Sequence, residues 1–148
     1  MKKTIRCISF IVMVAIMCAV PVAAESLDSR ASLYFSSYDS AIDRITNTEF
    51  EVWYDVVAVD TMDELGVSCI EIQRSRNGSS WITVETFYPE DHPQMIYENE
   101  YFVYDCVSYT GTPGFFYRAY VTFYAKKGTG TGCLYDYAES IYISPYIN

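Results

Sequence analysis

Two stretches of strict alternation constrain the fold of this chain more than any other feature. In Phe50 to Val56, FEVWYDV, residues Phe50, Val52, Tyr54 and Val56 share one face, and Glu51, Trp53 and Asp55 share the other. This period of two is that of a half-buried strand. In Ile70 to Phe87, IEIQRSRNGSSWITVETF, two further alternating runs flank Asn77-Gly78, a pair suited to the positive φ values of a tight hairpin turn. Ile70, Ile72 and Arg74 share one parity, and the return run sets Ile82 and Val84 against Trp81, Thr83 and Glu85. A chain built this way must bury one face of an antiparallel sheet.

The remaining segments extend the pattern. Thr61-Met62-Asp63-Glu64, followed by Gly66, matches a helix capping box and predicts one helical turn between strands. Pro89 to Glu100 lacks a sustained period and holds two prolines, so it reads as a loop. Further strands are expected around Leu33 to Tyr38, Tyr101 to Tyr109, Phe115 to Ala125 and Ala138 to Ile143, with turns at Gly111 to Gly114 and Lys126 to Gly132. About seven short strands without a substantial helix predict an all-β, two-sheet antiparallel sandwich around one core. In the strand from Phe115, residues Phe115, Tyr117, Ala119, Val121 and Phe123 are expected inside, leaving Phe116, Arg118, Tyr120 and Tyr124 outside.

The N-terminus carries Lys2, Lys3 and Arg6, then an apolar run from Cys7 to Val20, then Pro21-Val-Ala-Ala24. Basic, apolar and small-residue regions in that order are those of a secretory signal peptide, expected at residues 1–24 with cleavage after Ala24. The run is shorter than the roughly 20 residues that span a bilayer. Residues 25–148 suit a single domain able to bury its own core. All 19 acidic residues and seven of the ten basic ones lie beyond residue 24, a balance of −12. Such a surface repels phosphate backbones and anionic lipid heads, so nucleic acid is not expected as a partner, nor membrane after signal cleavage. Cys69, Cys106 and Cys133 remain in the exported part. Their number is odd and their spacing fits no zinc pattern, so the fold is expected not to depend on disulfides.

The sequence Phe115-Phe-Tyr-Arg-Ala119, followed by Tyr-Val-Thr-Phe, resembles the sixth-strand signature of fibronectin type III-like domains of the immunoglobulin-like β-sandwich class. The run Ile70 to Trp81 resembles the third-strand hairpin of the same domains in bacterial secreted proteins. The chain, notably Glu51 to Trp81 and Tyr117 to Ala125, is also similar to a family of small secreted proteins of Gram-positive anaerobic bacteria. That resemblance implies a compartment and a fold but no activity. Phe115 stands where the sixth strand commonly carries a tyrosine, so a tyrosine corner is not expected at that position. Trp53 has the wrong parity for the buried tryptophan of the second strand, and Tyr54 takes its place. In the topology this resemblance suggests, Cys69 and Cys133 lie at one end, so a disulfide, if one forms, is expected between them.

Groups with reactive chemistry are sparse. His92 is the sole histidine and sits on the expected loop, and no nucleophile elbow, zinc-protease helix or phosphate-binding glycine loop occurs. Asp60, Asp63 and Glu64, and separately Glu90, Asp91, Glu98 and Glu100, are either weak calcium ligands or a solvated acidic surface; neither group matches a calcium-loop motif. No metal or cofactor is expected. The outward row Phe116, Arg118, Tyr120 and Tyr124, joined by Glu71 and Gln73 of an adjacent strand, is the kind of surface that stacks on sugar rings or anchors a protein. Strand propensity alone would also place aromatics there. The function expected is a secreted, monomeric, non-enzymatic module binding an extracellular glycan or protein. The alternatives are a self-associating extracellular structural protein and, with least support, an extracellular hydrolase.

Overall fold

The computed structural model describes residues 33–145. The expected signal peptide lies outside the described residues. The chain is all-β and antiparallel: β1 (Phe35–Arg44), β2 (Glu49–Ser75), β3 (Ile82–Phe87), β4 (Ile96–Thr110), β5 (Phe115–Lys127) and β6 (Gly130–Ile143), with a short 3-10 turn at Pro93–Met95 before β4. The sheet path runs β1-β2-β5-β6, and β3 and β4 also pair with β2.

Six strands form among the described residues where about seven were expected, because β2 does not break. The helical turn expected at Thr61 to Glu64 is absent, and these residues continue the strand. The carboxylates in and beside that motif are engaged elsewhere. The Asp60 carboxylate accepts from Thr61 N at 2.8 Å and pairs with Lys127, Asp63 accepts from Gly128 N at 2.6 Å, and Glu64 pairs with Lys126. They fasten β2 to the β5–β6 hairpin. The expected loop at Pro89 to Glu100 likewise ends early, since Ile96 already pairs with Gly66.

The first half of β2 lies between β1 and β4, with Tyr54 opposite Ser40 and Asp105. The second half lies between β3 and β5, with Ile72 opposite Glu85 and Ala119. Around Gly66 the strand passes between Ile96 of β4 and Tyr124 of β5. There Gly66 has φ +151°, and a Cβ would stand 2.0 Å from the Met95 carbonyl oxygen. Only glycine lets the two backbones approach so closely.

The sheet curls so that its halves share one core. Phe50, Val52, Tyr54 and Val56 of β2 are buried as their alternation predicts, together with Leu65, Val67, Ile70 and Ile72 further along the same strand. Across from them stand Tyr117, Ala119, Val121, Phe123 and Ala125 of β5. Phe50 meets Tyr117 with ring centroids 5.4 Å apart, and Tyr38 of β1 meets Phe123 at 5.1 Å. Side chains bridge the sheet's outermost strands: Ser40 Oγ donates to Asp136 Oδ2 at 2.7 Å, and the Arg44 guanidinium donates to the Tyr142 carbonyl. Tyr54, buried with its ring, donates its hydroxyl to Gln94 O at 3.1 Å, and Met95 plugs the core beside it.

Two local readings change. The connection after Arg74, which is paired with Ile82, is a longer loop in which Gly78 alone has positive φ, at +71°. Asn77 acts through its side chain, whose Oδ1 accepts from Ser79 N at 2.9 Å and Ser80 N at 3.0 Å. At the β4–β5 corner the Tyr117 hydroxyl accepts from Thr112 N at 2.8 Å, so a corner bond absent at Phe115 is made two residues later. Gly111 gives the ring room, since a Cβ there would lie 2.9 Å from it.

The three cysteines are free thiols. Cys69 and Cys133, the pair expected if a disulfide were to form, are kept apart because β5 runs between them: Cys69 is opposite Thr122 on one side of that strand and Cys133 is opposite Tyr124 on the other. Two strand spacings of about 4.8 Å each exceed the roughly 7 Å limit that a disulfide tolerates between Cα atoms.

Tyr117→Ala removes a fully buried aromatic and its corner bond, and is expected to cost about 3 to 5 kcal/mol in urea unfolding, as is Tyr54→Ala. Tyr120→Ala, on the outer face of the same strand, should cost far less. Equal losses at Tyr117 and Tyr120 would contradict the assigned faces of β5.

Candidate functional site

The outward parity of β5 places Phe116, Arg118, Tyr120 and Tyr124 in one row, flanked by β2 and β6. Glu71 lies directly opposite Tyr120, and Gln73 opposite Arg118. All six residues expected from the sequence therefore share one face. On the other flank Tyr142 stands opposite Phe116, Tyr137 opposite Tyr120, and Tyr135 opposite Thr122. Strand pairing thus assembles aromatics from segments far apart in sequence.

The face is tied together by ring contacts. Tyr120 meets Tyr137 at 4.7 Å and Tyr135 at 5.7 Å, and Phe116 meets Tyr142 at 4.8 Å. Arg118 is the cationic centre: its Cζ lies 4.5 Å from the Trp81 ring and 4.5 Å from the Tyr137 ring, while its Nε donates to Gln73 Oε1 at 2.8 Å. A guanidinium held between two aromatic rings keeps its orientation at low entropic cost. Glu71 Oε2 accepts from Thr83 Oγ1 at 2.9 Å, so the carboxylate is held towards β3.

Tyr135 and Tyr137 remain 57% and 52% exposed, so rings packed at a tilt against Tyr120 still offer surface to solvent. Burial raises the Tyr120 hydroxyl above its ordinary value, with Tyr135, Tyr137, Glu71 and Cys69 adding to the shift. Burial also raises Tyr124, reinforced by Glu64, with which it shares a hydrogen bond. Tyr120 and Tyr124 therefore stay neutral donors at physiological pH.

The sequence reading missed Trp81, Tyr135, Tyr137 and Tyr142. Tyr135 and Tyr137 carry a signal in their spacing of two just after Gly132, but the last strand was expected to begin only at Ala138, whereas β6 begins at Gly130. Alternation sets Trp81 against Ile82, but Trp81 precedes β3, and only the folded hairpin brings its ring to Arg118.

Several polar groups elsewhere serve the fold. His92 stands edge-on to Phe87 at 4.9 Å. Lys127 holds the Asp60 carboxyl below the usual carboxylate range, and Lys126 does the same for Glu64. Among the described residues, no group of three or more His, Cys, Asp or Glu is placed to hold a metal ion, and no helix is long and apolar enough to cross a membrane.

No family model, curated protein or solved structure matches this chain significantly.

Several weak acids are held in their neutral form. Burial raises the thiols of Cys69 and Cys106 above 9.0 and the hydroxyls of Tyr54, Tyr109, Tyr120 and Tyr124 above 10.0. Tyr97, which donates to Asp105 Oδ2, is pushed up to about 12 chiefly by that bond. Each group has a higher pKa folded than unfolded, so its contribution is fully present below the unfolded value and is lost as pH rises through the folded one. The urea midpoint is therefore expected to fall steadily as pH is raised from just below 9 to above 10. A midpoint unchanged across that window would contradict the burial of these groups.

Proposed function

We propose that the chain is a secreted, non-enzymatic binding module and that its aromatic outer face stacks on an extracellular glycan. The observation that carries this reading is the plate formed by Phe116, Tyr120, Tyr135, Tyr137 and Tyr142 around the Arg118–Gln73 bond. Sugar rings present apolar C–H faces that stack on aromatic rings, and hydroxyls that meet guanidinium, amide and carboxylate groups. Here both kinds of group are fixed on neighbouring strands before any ligand arrives. With its acidic surface, the module suits a neutral glycan better than a polyanionic one.

The fold that presents this face is, on the same reading, a fibronectin type III-like sandwich of seven strands in which β2 supplies two. Its first half, with β1 and β4, makes one sheet; its second half, with β3, β5 and β6, makes the other. Supporting this are the Phe50–Tyr117 contact across the core and the Tyr117 bond to Thr112 at the β4–β5 corner. Residues 1–24 serve as the export signal, which places the module outside the cell.

A second reading, self-association, is favoured by β4. Among the described residues this strand pairs on one side only, with β2, and it carries exposed Phe102 and Tyr104, with Tyr104 stacked on Trp53 at 5.0 Å. An unpaired aromatic edge can add a strand from a second copy.

The double substitution Tyr120→Ala with Tyr137→Ala tests the first reading. On an array of cell-wall, mucin and dietary polysaccharides it is expected to abolish binding while moving the melting temperature little, because solvent-facing rings contribute more to recognition than to folding. Binding that survives the double variant would place the site elsewhere. An empty array together with concentration-dependent sedimentation would favour association through β4.

A further inference from the structure

Arg74 continues the inward parity of Ile70 and Ile72, yet it carries a charge. It sits at the end of the core, opposite Ile82 of β3 and Tyr117 of β5. Its guanidinium carbon lies 4.4 Å from the centroid of the Phe115 ring, and that of Arg76 lies 5.2 Å from the same ring. Arg74 Nε is buried without a hydrogen-bond partner. Both arginines, with Ser75, Asn77, Ser80, Ile82 and Phe115, line a pocket of about 290 Å³.

This pairing runs against the charge balance of the chain. Acids outnumber bases 19 to 10, and the other described cations each meet an oxygen: Arg44 the Tyr142 carbonyl, Arg118 Gln73, Lys126 Glu64 and Lys127 Asp60. Among the described residues no carboxylate lies within ion-pairing distance of Arg74 or Arg76. Two guanidiniums held beside one ring repel each other, and an unpartnered buried donor is costly. An anion in the pocket would relieve both penalties.

We propose that this pocket binds a carboxylate carried on a small apolar body. The planar guanidinium fork matches a carboxylate in two parallel hydrogen bonds. The Phe115 ring and the exposed side chain of Ile82 supply the apolar wall. A singly charged group suffers less from the balance of −12 beyond residue 24 than a doubly charged phosphate does. The rim is also set in advance. Ser75 Oγ accepts from Asn77 N and Gly78 N and donates to Asn77 Oδ1, which accepts in turn from Ser79 N and Ser80 N. Those oxygens are spent inside the loop and do not compete for the arginines. The pocket shares no residue with the aromatic plate, so either site can fail without the other.

N-acetylphenylalanine, titrated into the purified protein and followed by backbone amide NMR, tests the proposal. Saturable shifts are expected at Arg74 to Ile82 and at Phe115, with none from the neutral N-acetylphenylalaninamide. Arg76→Gln, at an exposed position outside the core, should weaken the acid by about tenfold or more, the loss of a charge-assisted pair, with unchanged circular dichroism. Arg74→Gln provides a second variant, read only if it remains folded. A hexapeptide ending in phenylalanine that binds more tightly than the free acid would identify a peptide C-terminus as the source; equal binding would identify a small organic acid. Equal shifts from acid and amide, stronger binding of inorganic phosphate, an undiminished affinity in Arg76→Gln, or no saturable shift at millimolar concentration would each overturn it.

Discussion

The backbone of β2 is the element on which the rest of the structure depends, because four of the other five strands hydrogen-bond to it. One strand serving both halves of a curled sheet must keep its apolar side chains inside while its direction changes. A strand's faces alternate with every residue, so each extra residue reverses them. β2 absorbs this with irregularities. The inward set runs through Phe50, Val52, Tyr54 and Val56 to Met62, changes parity at Leu65 and Val67, and returns to it at Ile70 and Ile72. A register shift against β5 between Val67 and Cys69 accompanies the second change, and one against β4 between Val57 and Met62 precedes the first. Extra residues of this kind bend a strand and increase its twist, which is how one strand turns from one half to the other.

With that bend in place, the interior is closed by aromatic contact. Phe50, Tyr109 and Tyr117 lie within 5.4 to 5.8 Å of one another at the end of the core where Arg74 and Phe115 form its rim. The inward rows fix what faces outward. On the β1–β2–β4 side the outward set contains Trp53 stacked on Tyr104, and an acidic pair in which burial and neighbouring Asp39 raise the Asp55 carboxyl. On the β3–β2–β5–β6 side it contains the tyrosine plate centred on Arg118. The two surfaces differ in charge and chemistry although one strand supplies residues to both.

Much of this is legible in the alternation itself. Phe50 to Val56 and Tyr117 to Phe123 display their buried faces in the sequence, because a half-buried strand separates apolar from polar residues at a period of two. The six residues expected on the outer face follow from the same period. What the alternation does not display is continuity. Thr61-Met-Asp-Glu64 carries the local chemistry of a helix cap, but Lys126 and the Gly128 amide, more than sixty residues away, claim its carboxylates, and Lys127 claims that of the preceding Asp60. Tertiary partners of that kind leave no mark within a local window. Tyr135 and Tyr137 escaped for a related reason: glycines at 128, 130 and 132 read as a loop, while the chain makes a two-residue turn between Lys127 and Gly130 and pairs at once. The Cys69–Cys133 pairing failed on lateral order, since only the ladders reveal that β5 lies between them.

The central claim is that β2 binds both halves of the sheet into one cooperative core, and native-state hydrogen exchange measures this directly. The amides of Val52 to Val56 and of Ile70 to Ile72 lie in ladders on opposite halves of the sheet. They should exchange with the same opening free energy, equal to that of global unfolding, and respond to denaturant with the same slope. If one set exchanges at a markedly lower free energy, the halves open separately, and β2 joins two independent units rather than one core.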